Sequence, residues 1–130
     1  LKNQTNALLF SKANNTNISD INVLIIDSIG ILSNVYKYGD LAYIGGGFGS
    51  GIHNILEAVT FGLPVVFGPN YQKFKEANEL IELEGAISIS NFKELTSAID
   101  YFNTFDKSIA INYTQENSGA TKKILNLIIK

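Results

Sequence analysis

The sequence predicts an α/β fold: a three-layer, doubly wound parallel sheet of about five strands. Two observations predict it. Short apolar runs rich in Val, Ile and Leu alternate with stretches of helical periodicity, and turns containing glycine follow several of the runs. Sheets of this kind bind ligands beyond the carboxyl ends of their strands. We therefore look for a site in the loops that follow Ile26, Ile44 and Phe67.

The first third of the chain predicts three strands and one helix. Residues 7–10 are a short apolar run and predict the first strand, whereas the Asn-rich stretch 12–20 predicts a loop. Residues 23–26 read Val-Leu-Ile-Ile, which is typical of a strand buried on both faces. Residues 31–38 have room for a short helix, and residues 41–44 predict the next strand.

The middle of the chain predicts a loop followed by a helix. Residues 45–51 are almost all glycine and predict a flexible loop, after which residues 54–61 show helical periodicity. Gly62 fits the position just after a helix end, and Pro64 prevents the helix from continuing. The inward face of this helix is expected to consist of Ile55, Ala58 and Val59.

The rest of the chain completes the alternation. Residues 64–67 and 86–89 predict strands, and Gly-Pro-Asn at 68–70 predicts a turn. Periodicity predicts helices at 74–83, 92–102, 106–116 and 122–129. The inward face of the first of these is expected to consist of Ala77, Leu80 and Ile81.

Length and composition limit the classes of function. A chain of 130 residues fits one domain, residues 1–130, and 45% hydrophobic residues suffice for an ordinary core. A net charge of −2 without a basic face argues against a nucleic-acid partner, and the absence of cysteine excludes disulfides and thiolate metal sites. No apolar run is long enough to span a membrane, and no signal peptide is present. Because the chain starts at Leu1 and has no methionine, we expect it to be a fragment.

The glycine-rich segment 45–51 is the first candidate for chemistry. A glycine loop between a strand and a helix lets the backbone approach a phosphate, and the helix N-terminus adds free N–H groups. The third glycine of the dinucleotide fingerprint is replaced by Ser50, and no Walker lysine follows. The segment therefore predicts a phosphate loop of neither standard type; the alternative is a mobile turn without a ligand.

Residues 53–57, His-Asn-Ile-Leu-Glu, are the second candidate. Asn54 and Glu57 have the spacing of a capping box. Alternatively, the Glu57 carboxylate accepts hydrogen bonds from two adjacent ribose hydroxyls, and Asn54 holds the loop or touches the nucleotide. His53, the single histidine, either contacts a phosphate or orders the loop.

Two further loops follow predicted strands. Asp27 and Ser28 are expected to cap the next helix, while Gly30 allows close approach of the backbone to a ligand. In residues 68–74, Lys73 either meets a phosphate or carboxylate or is a solvated surface lysine.

These pieces, in this order, resemble the C-terminal domain of the 3-deoxy-D-manno-octulosonic acid (Kdo) transferases. The resemblance covers nearly all of the chain from residue 22 onward. It rests on VLIIDSIGIL at 23–32, on YGDLAYIGGGFGSGIHNILEAVTFGLPVVFGPNYQKFKEANEL at 38–80, and on the Gly-Ala pairs at 85–86 and 119–120. It implies the Rossmann-like C-terminal half of a GT-B glycosyltransferase, which binds the CMP part of CMP-Kdo.

The resemblance also implies roles for individual residues. Segment 27–32 matches an Asp-Thr-Met-Gly-Glu-Leu motif, with Ile31 in place of its acid, and segment 54–57 matches Asn-Pro-Leu-Glu, with Ile55 in place of its proline. Glu57 would then take the ribose. The full set of implied donor contacts is Ile29, Gly30, Ile31, Gly46, Gly47, His53, Asn54, Ile55, Leu56 and Glu57. The family's basic Pro-Arg-His element has no counterpart in 1–21.

For the whole enzyme, the resemblance implies inverting transfer of Kdo to a lipid A precursor in lipopolysaccharide biosynthesis, without metal or cofactor. The catalytic base and the acceptor site belong to an N-terminal domain that is absent here, so we expect this fragment to be soluble and inactive alone. The full-length protein would lie at the cytoplasmic face of the bacterial inner membrane. The alternatives are a GT-B transferase that uses a UDP-sugar and a non-catalytic nucleotide-binding module.

Overall fold

The structure, a computed structural model, describes residues 5–14 and 18–129, and the backbone alone for residues 121–123. The predicted loop at 12–20 therefore lies partly outside the described residues. Five strands are present in this part of the chain: β1 (Ala7–Leu9), β2 (Val23–Ile25), β3 (Ala42–Ile44), β4 (Val65–Phe67) and β5 (Ala86–Ser88). Six α-helices accompany them: α1 (Leu32–Tyr36), α2 (Leu56–Val59), α3 (Lys75–Glu82), α4 (Phe92–Phe102), α5 (Lys107–Glu116) and α6 (Ala120–Ile128). A 3-10 turn, Phe10–Lys12, follows β1.

The chain divides into two compact units, Leu1–Val35 and Tyr36–Lys130. In the first, β1 and β2 pair in parallel, with Ala7 opposite Val23. The prediction that residues 23–26 form a buried strand is wrong, since Val23, Leu24 and Ile25 are 40–46% exposed. The physical reason is that no other element of the first unit packs over this strand: none of the described residues up to Val35 is buried. Whether the whole chain acts as a single domain stays a prediction.

In the second unit, β3, β4 and β5 pair in parallel in that order. The three side chains of β4 are completely buried, and they alternate between the two faces of the sheet. Val65 and Phe67 pack into a core with residues of α2, α3 and α5, whereas Val66 packs with Ala98 and Phe102 of α4. Helices therefore cover both faces, which confirms the predicted layered, parallel α/β arrangement.

Most element boundaries follow the local signals in the sequence. Helix α4 spans the predicted residues, and Asn91 caps it by accepting a hydrogen bond from the Glu94 amide at 3.0 Å. Helix α2 is shorter than predicted. After it the hydrogen bonds follow the tighter 3-10 pattern: the Phe61 amide donates to Ala58 O and the Gly62 amide to Val59 O. Gly62 then ends the segment with φ +78°. Among the described helices, none is long and apolar enough to cross a membrane.

Candidate functional site

Two loops leave the carboxyl edge of the three-stranded sheet side by side. Ile44 and Phe67, the last residues of β3 and β4, are register partners, so the loop that begins at Gly45 and the loop that begins at Gly68 start next to each other. This is the edge at which parallel α/β sheets bind ligands. The sequence predicted a site in both loops, and the structure brings those two loops together.

The glycine loop is locked to its neighbour rather than flexible as predicted. Gly47 is buried, and a Cβ atom on it would lie 2.6 Å from the Gly68 nitrogen, a distance that only glycine can satisfy. Asn70 then ties the loops together: its amide donates to Gly47 O at 2.9 Å, and its side-chain Nδ2 donates to Gly49 O at 2.7 Å. These contacts hold the loop in one shape before any ligand binds.

The loop also closes on itself through His53. The His53 amide donates to Gly45 O at 3.0 Å, and its ring lies against Gly46, which has φ +88°. A Cβ atom on Gly46 would lie 2.9 Å from His53 Nε2. This position agrees with a loop-ordering role for His53, and its phosphate contact stays a prediction.

Three consecutive amides of the loop are available as donors. Within residues 5–14 and 18–129, the N–H groups of Gly46, Gly47 and Phe48 have no hydrogen-bond acceptor. Successive unpaired amides next to a glycine with positive φ are the donors from which backbone anion sites are built. Of these residues, Gly46 and Phe48 are exposed, so the loop can present their amides to one phosphate.

The capping box, one of the two interpretations of Asn54 and Glu57, is not formed. Asn54 Oδ1 accepts from the Leu56 amide at 3.1 Å instead of from the Glu57 amide, and Asn54 Nδ2 donates to Glu57 Oε1 at 3.0 Å. The other carboxylate oxygen, Oε2, has no hydrogen-bond partner in the described part of the chain. Glu57 is thus exposed, oriented by a neighbouring amide, and free to accept further hydrogen bonds.

The surroundings of Glu57 are partly apolar. Tyr36 lies near it and packs against Phe61, with ring centroids 6.1 Å apart. Burial raises the pKa of the Tyr36 hydroxyl, and the Glu57 charge raises it further. Ile55 is 1% exposed and belongs to the core, so its predicted ligand contact can come only from its backbone, whereas Leu56 is 38% exposed.

In the segment after β2, Asp27 has a different role from the predicted helix cap. Asp27 does not cap α1; its carboxylate accepts from the Ser11 amide at 2.9 Å and from Ser11 Oγ at 2.5 Å. The hydrogen bond from the Ser11 hydroxyl lowers the pKa of the Asp27 carboxyl most, and the bond from the Ser11 amide lowers it further. Gly30 has φ +85° with no atom near its missing Cβ, and the Ile29 side chain is fully exposed. The Gly30 backbone is therefore open to a ligand, whereas Ile31 O already accepts from the Asn34 amide at 3.0 Å.

A pocket of about 230 Å³ lies between the two loops of the second unit. Its lining is Gly49, Ser50, Asn70, Gln72, Lys73 and Phe74. Sequence reasoning weighed Lys73 as an anion contact but missed Asn70; a polar residue after Gly-Pro at a strand end was the signal that would have found it. Nowhere in the described ranges do three or more His, Asp or Glu side chains converge as metal ligands.

Comparisons with known proteins agree with this architecture. No protein-family model matches the chain. A 3-deoxy-D-manno-octulosonic acid transferase from Aquifex aeolicus (strain VF5) is 35% identical over 91 residues, which cover 68% of this chain and 26% of that protein. A transferase of the same name from Chlamydia pneumoniae is 39% identical over 72 residues, 54% of this chain and 16% of that protein. The chain thus spans about a quarter or less of these relatives.

One solved structure has the same fold. The crystal structure of the C-terminal CMP-Kdo binding domain of WaaA from Acinetobacter baumannii matches with a TM-score of 0.67 and 21% identity, over 85% of this chain and 60% of that one. This match confirms the predicted α/β fold of the C-terminal half of a GT-B protein. The resemblance seen in the sequence is confirmed with it: this chain is related to the Kdo transferases and has the fold of their C-terminal domain.

Proposed function

We propose that this chain binds CMP-Kdo as the donor domain of a glycosyltransferase that transfers Kdo to a lipid A precursor in lipopolysaccharide biosynthesis. The observation that carries the proposal is the Glu57 carboxylate, which Asn54 orients through one oxygen and which keeps the other oxygen unpaired. A carboxylate with free acceptor capacity suits the adjacent hydroxyls of a ribose. Its segment, His53 to Glu57, is also the part of the sequence that carries the resemblance most specifically.

Each part of the donor has a matching group in the chain. Glu57 accepts hydrogen bonds from the ribose hydroxyls, and the free amides of Gly46, Gly47 and Phe48 donate to the phosphate. The contact of residues 29–31 with the nucleotide stays a prediction from the resemblance, since these residues belong to the first unit. His53, Asn54, Ile55 and Leu56 shape the loop around these contacts.

In the transfer step, this chain binds the leaving group, CMP. A carboxylate of the N-terminal domain removes the proton of the acceptor hydroxyl, whose oxygen bonds to the anomeric carbon of Kdo. The bond from that carbon to the CMP phosphate oxygen breaks, and its electron pair stays on CMP. Amide donors around the phosphate stabilise this developing charge without a metal. The chain alone supplies no base and is inactive; acceptor binding and membrane association belong to the full-length protein.

Calorimetric titration of the 130-residue chain with CMP, UMP and UDP tests the proposal. We expect CMP to bind more tightly than UMP or UDP. A preference for UDP would favour the alternative, a GT-B transferase that uses a UDP-sugar. Binding of none of the three would remove the nucleotide site altogether.

A further inference from the structure

The pocket between the glycine loop and the loop after β4 holds side chains that the proposed nucleotide contacts do not use. Those contacts lie at 29–31, 46–48 and 53–57, whereas the pocket is lined by Gly49, Ser50, Asn70, Gln72, Lys73 and Phe74. Both loops leave the carboxyl ends of adjacent parallel strands. The pocket therefore opens on the ligand-binding edge of the sheet, beside the loop proposed to hold the phosphate.

The charge of this pocket differs from that of the other pockets in the second unit. Lys73 is its one charged lining residue, and no carboxylate lines it. Three other pockets contain carboxylates: Asp40 beside Lys107 in one, Glu76 and Glu79 beside Lys75 in another, and Glu84 in the third. An anion would meet a lysine with no competing carboxylate here, whereas every lysine in those three pockets shares its space with an acid.

The Lys73 ammonium group is also unpaired among the described residues. Across the described ranges, Lys73 has no ion pair and no hydrogen bond. Lys75, two residues further on, pairs with Glu79 at 3.2 Å. Ser50, on the opposite wall of the pocket, has a hydroxyl that likewise has no partner among the described residues. One cation and one hydroxyl donor thus face the same space of about 230 Å³.

The walls that carry these two groups are fixed. Asn70 holds the glycine loop through Gly47 O and Gly49 O, at 2.9 and 2.7 Å. Gln72 Nε2 donates to Pro69 O at 2.7 Å, and Asn78 Nδ2 donates to Gln72 O at 3.1 Å. The backbone on the N-terminal side of Lys73 is therefore ordered before a ligand arrives, which reduces the entropy lost on binding.

We infer that this pocket binds the carboxylate of the donor sugar, with Lys73 Nζ as its ion-pair partner and Ser50 Oγ as a hydrogen-bond donor. The inference rests on the proposed function, in which the donor is a nucleotide-linked octulosonic acid. Such a donor has two anionic groups, the phosphate and the sugar carboxylate. The free amides of Gly46 to Phe48 serve the first, and the pocket beside them serves the second.

Titrations of the full chain with CMP and with CMP-Kdo test this inference, because CMP lacks the carboxylate. We expect Lys73→Gln to weaken CMP-Kdo binding about tenfold, the effect of losing one charge-assisted hydrogen bond, and to leave CMP binding unchanged. Lys73→Arg should retain most of the CMP-Kdo affinity because it keeps the charge. Lys75→Gln is the matched control, since that lysine is already paired, and it should change neither affinity.

The other outcomes overturn the inference in distinguishable ways. Equal losses of CMP and CMP-Kdo affinity in Lys73→Gln would mean that Lys73 binds the phosphate. Unchanged affinity for both ligands would mean that the pocket is not used, although the proposed function would stand. Failure of the unmodified chain to bind either ligand would overturn the proposed function and this inference with it.

Discussion

The chain contains the spacing Asn-x-x-Glu at the start of two helices, α2 and α4, and the two copies act differently. At α4, Asn91 accepts from the Glu94 amide at 3.0 Å, and the Glu94 carboxylate accepts from the Ser90 amide at 2.7 Å. One amide of the first turn and the amide of the residue before the cap are thereby satisfied, in a variant of the capping box. At α2, Asn54 bonds the Leu56 amide instead, and the second oxygen of the Glu57 carboxylate has no partner in the described residues.

The residue after the asparagine explains the difference. Ile55 is 1% exposed and anchored in the core, whereas Phe92 is 82% exposed and free to follow the helix. Ile55, with helical φ −85° and ψ −26°, takes the N-cap position itself, so α2 begins one residue later after its asparagine than α4 does and runs for four residues, against eleven for α4. The same pattern therefore gives a structural cap in one place and an open acceptor in the other.

The largest expected effect comes from a substitution in the glycine loop that precedes Asn54 and Glu57. Gly47→Ala places a Cβ atom 2.6 Å from the Gly68 nitrogen, so the two loops must separate. We expect the free energy of unfolding to fall by about 1–3 kcal/mol, and CMP binding to weaken. Gly45→Ala is the control, because no atom lies within 4 Å of its added Cβ. Urea unfolding of both variants measures the effect; equal stability in the two would mean that the loops are not interlocked.

The next largest effect is a difference in stability between variants of the two asparagines, Asn91 and Asn54. Asn91→Ala removes a cap from an eleven-residue helix, and we expect a loss of about 1 kcal/mol in the free energy of unfolding. Asn54→Ala removes hydrogen bonds at the surface of a four-residue helix, and we expect a loss of about 0.5 kcal/mol. Thermal unfolding followed by circular dichroism ranks the two. The reverse order would show that Asn54 is a structural cap after all.

The regular elements were predictable from local signals, and the site only in part. Strand β4 and helix α4 follow from an apolar run and from an Asn-Glu start, because their own residues determine them. Strand β2 has an equally apolar sequence, yet its side chains are exposed, since burial depends on neighbours that a local pattern does not contain. The Gly47–Gly68 contact joins residues far apart in sequence, so the sequence suggested a phosphate loop and a turn but not that the two loops touch.

The paired substitutions Glu57→Gln and Glu94→Gln, compared by CMP titration and by thermal unfolding, test the central claim most directly. We predict that Glu57→Gln weakens CMP binding at least about tenfold, through loss of charged hydrogen bonds to the ribose, and leaves the melting temperature unchanged. Glu94→Gln should lower the melting temperature and leave CMP affinity unchanged, because both of its oxygens already serve the helix start. The account is contradicted if Glu57→Gln lowers the melting temperature as Glu94→Gln does while CMP affinity is retained.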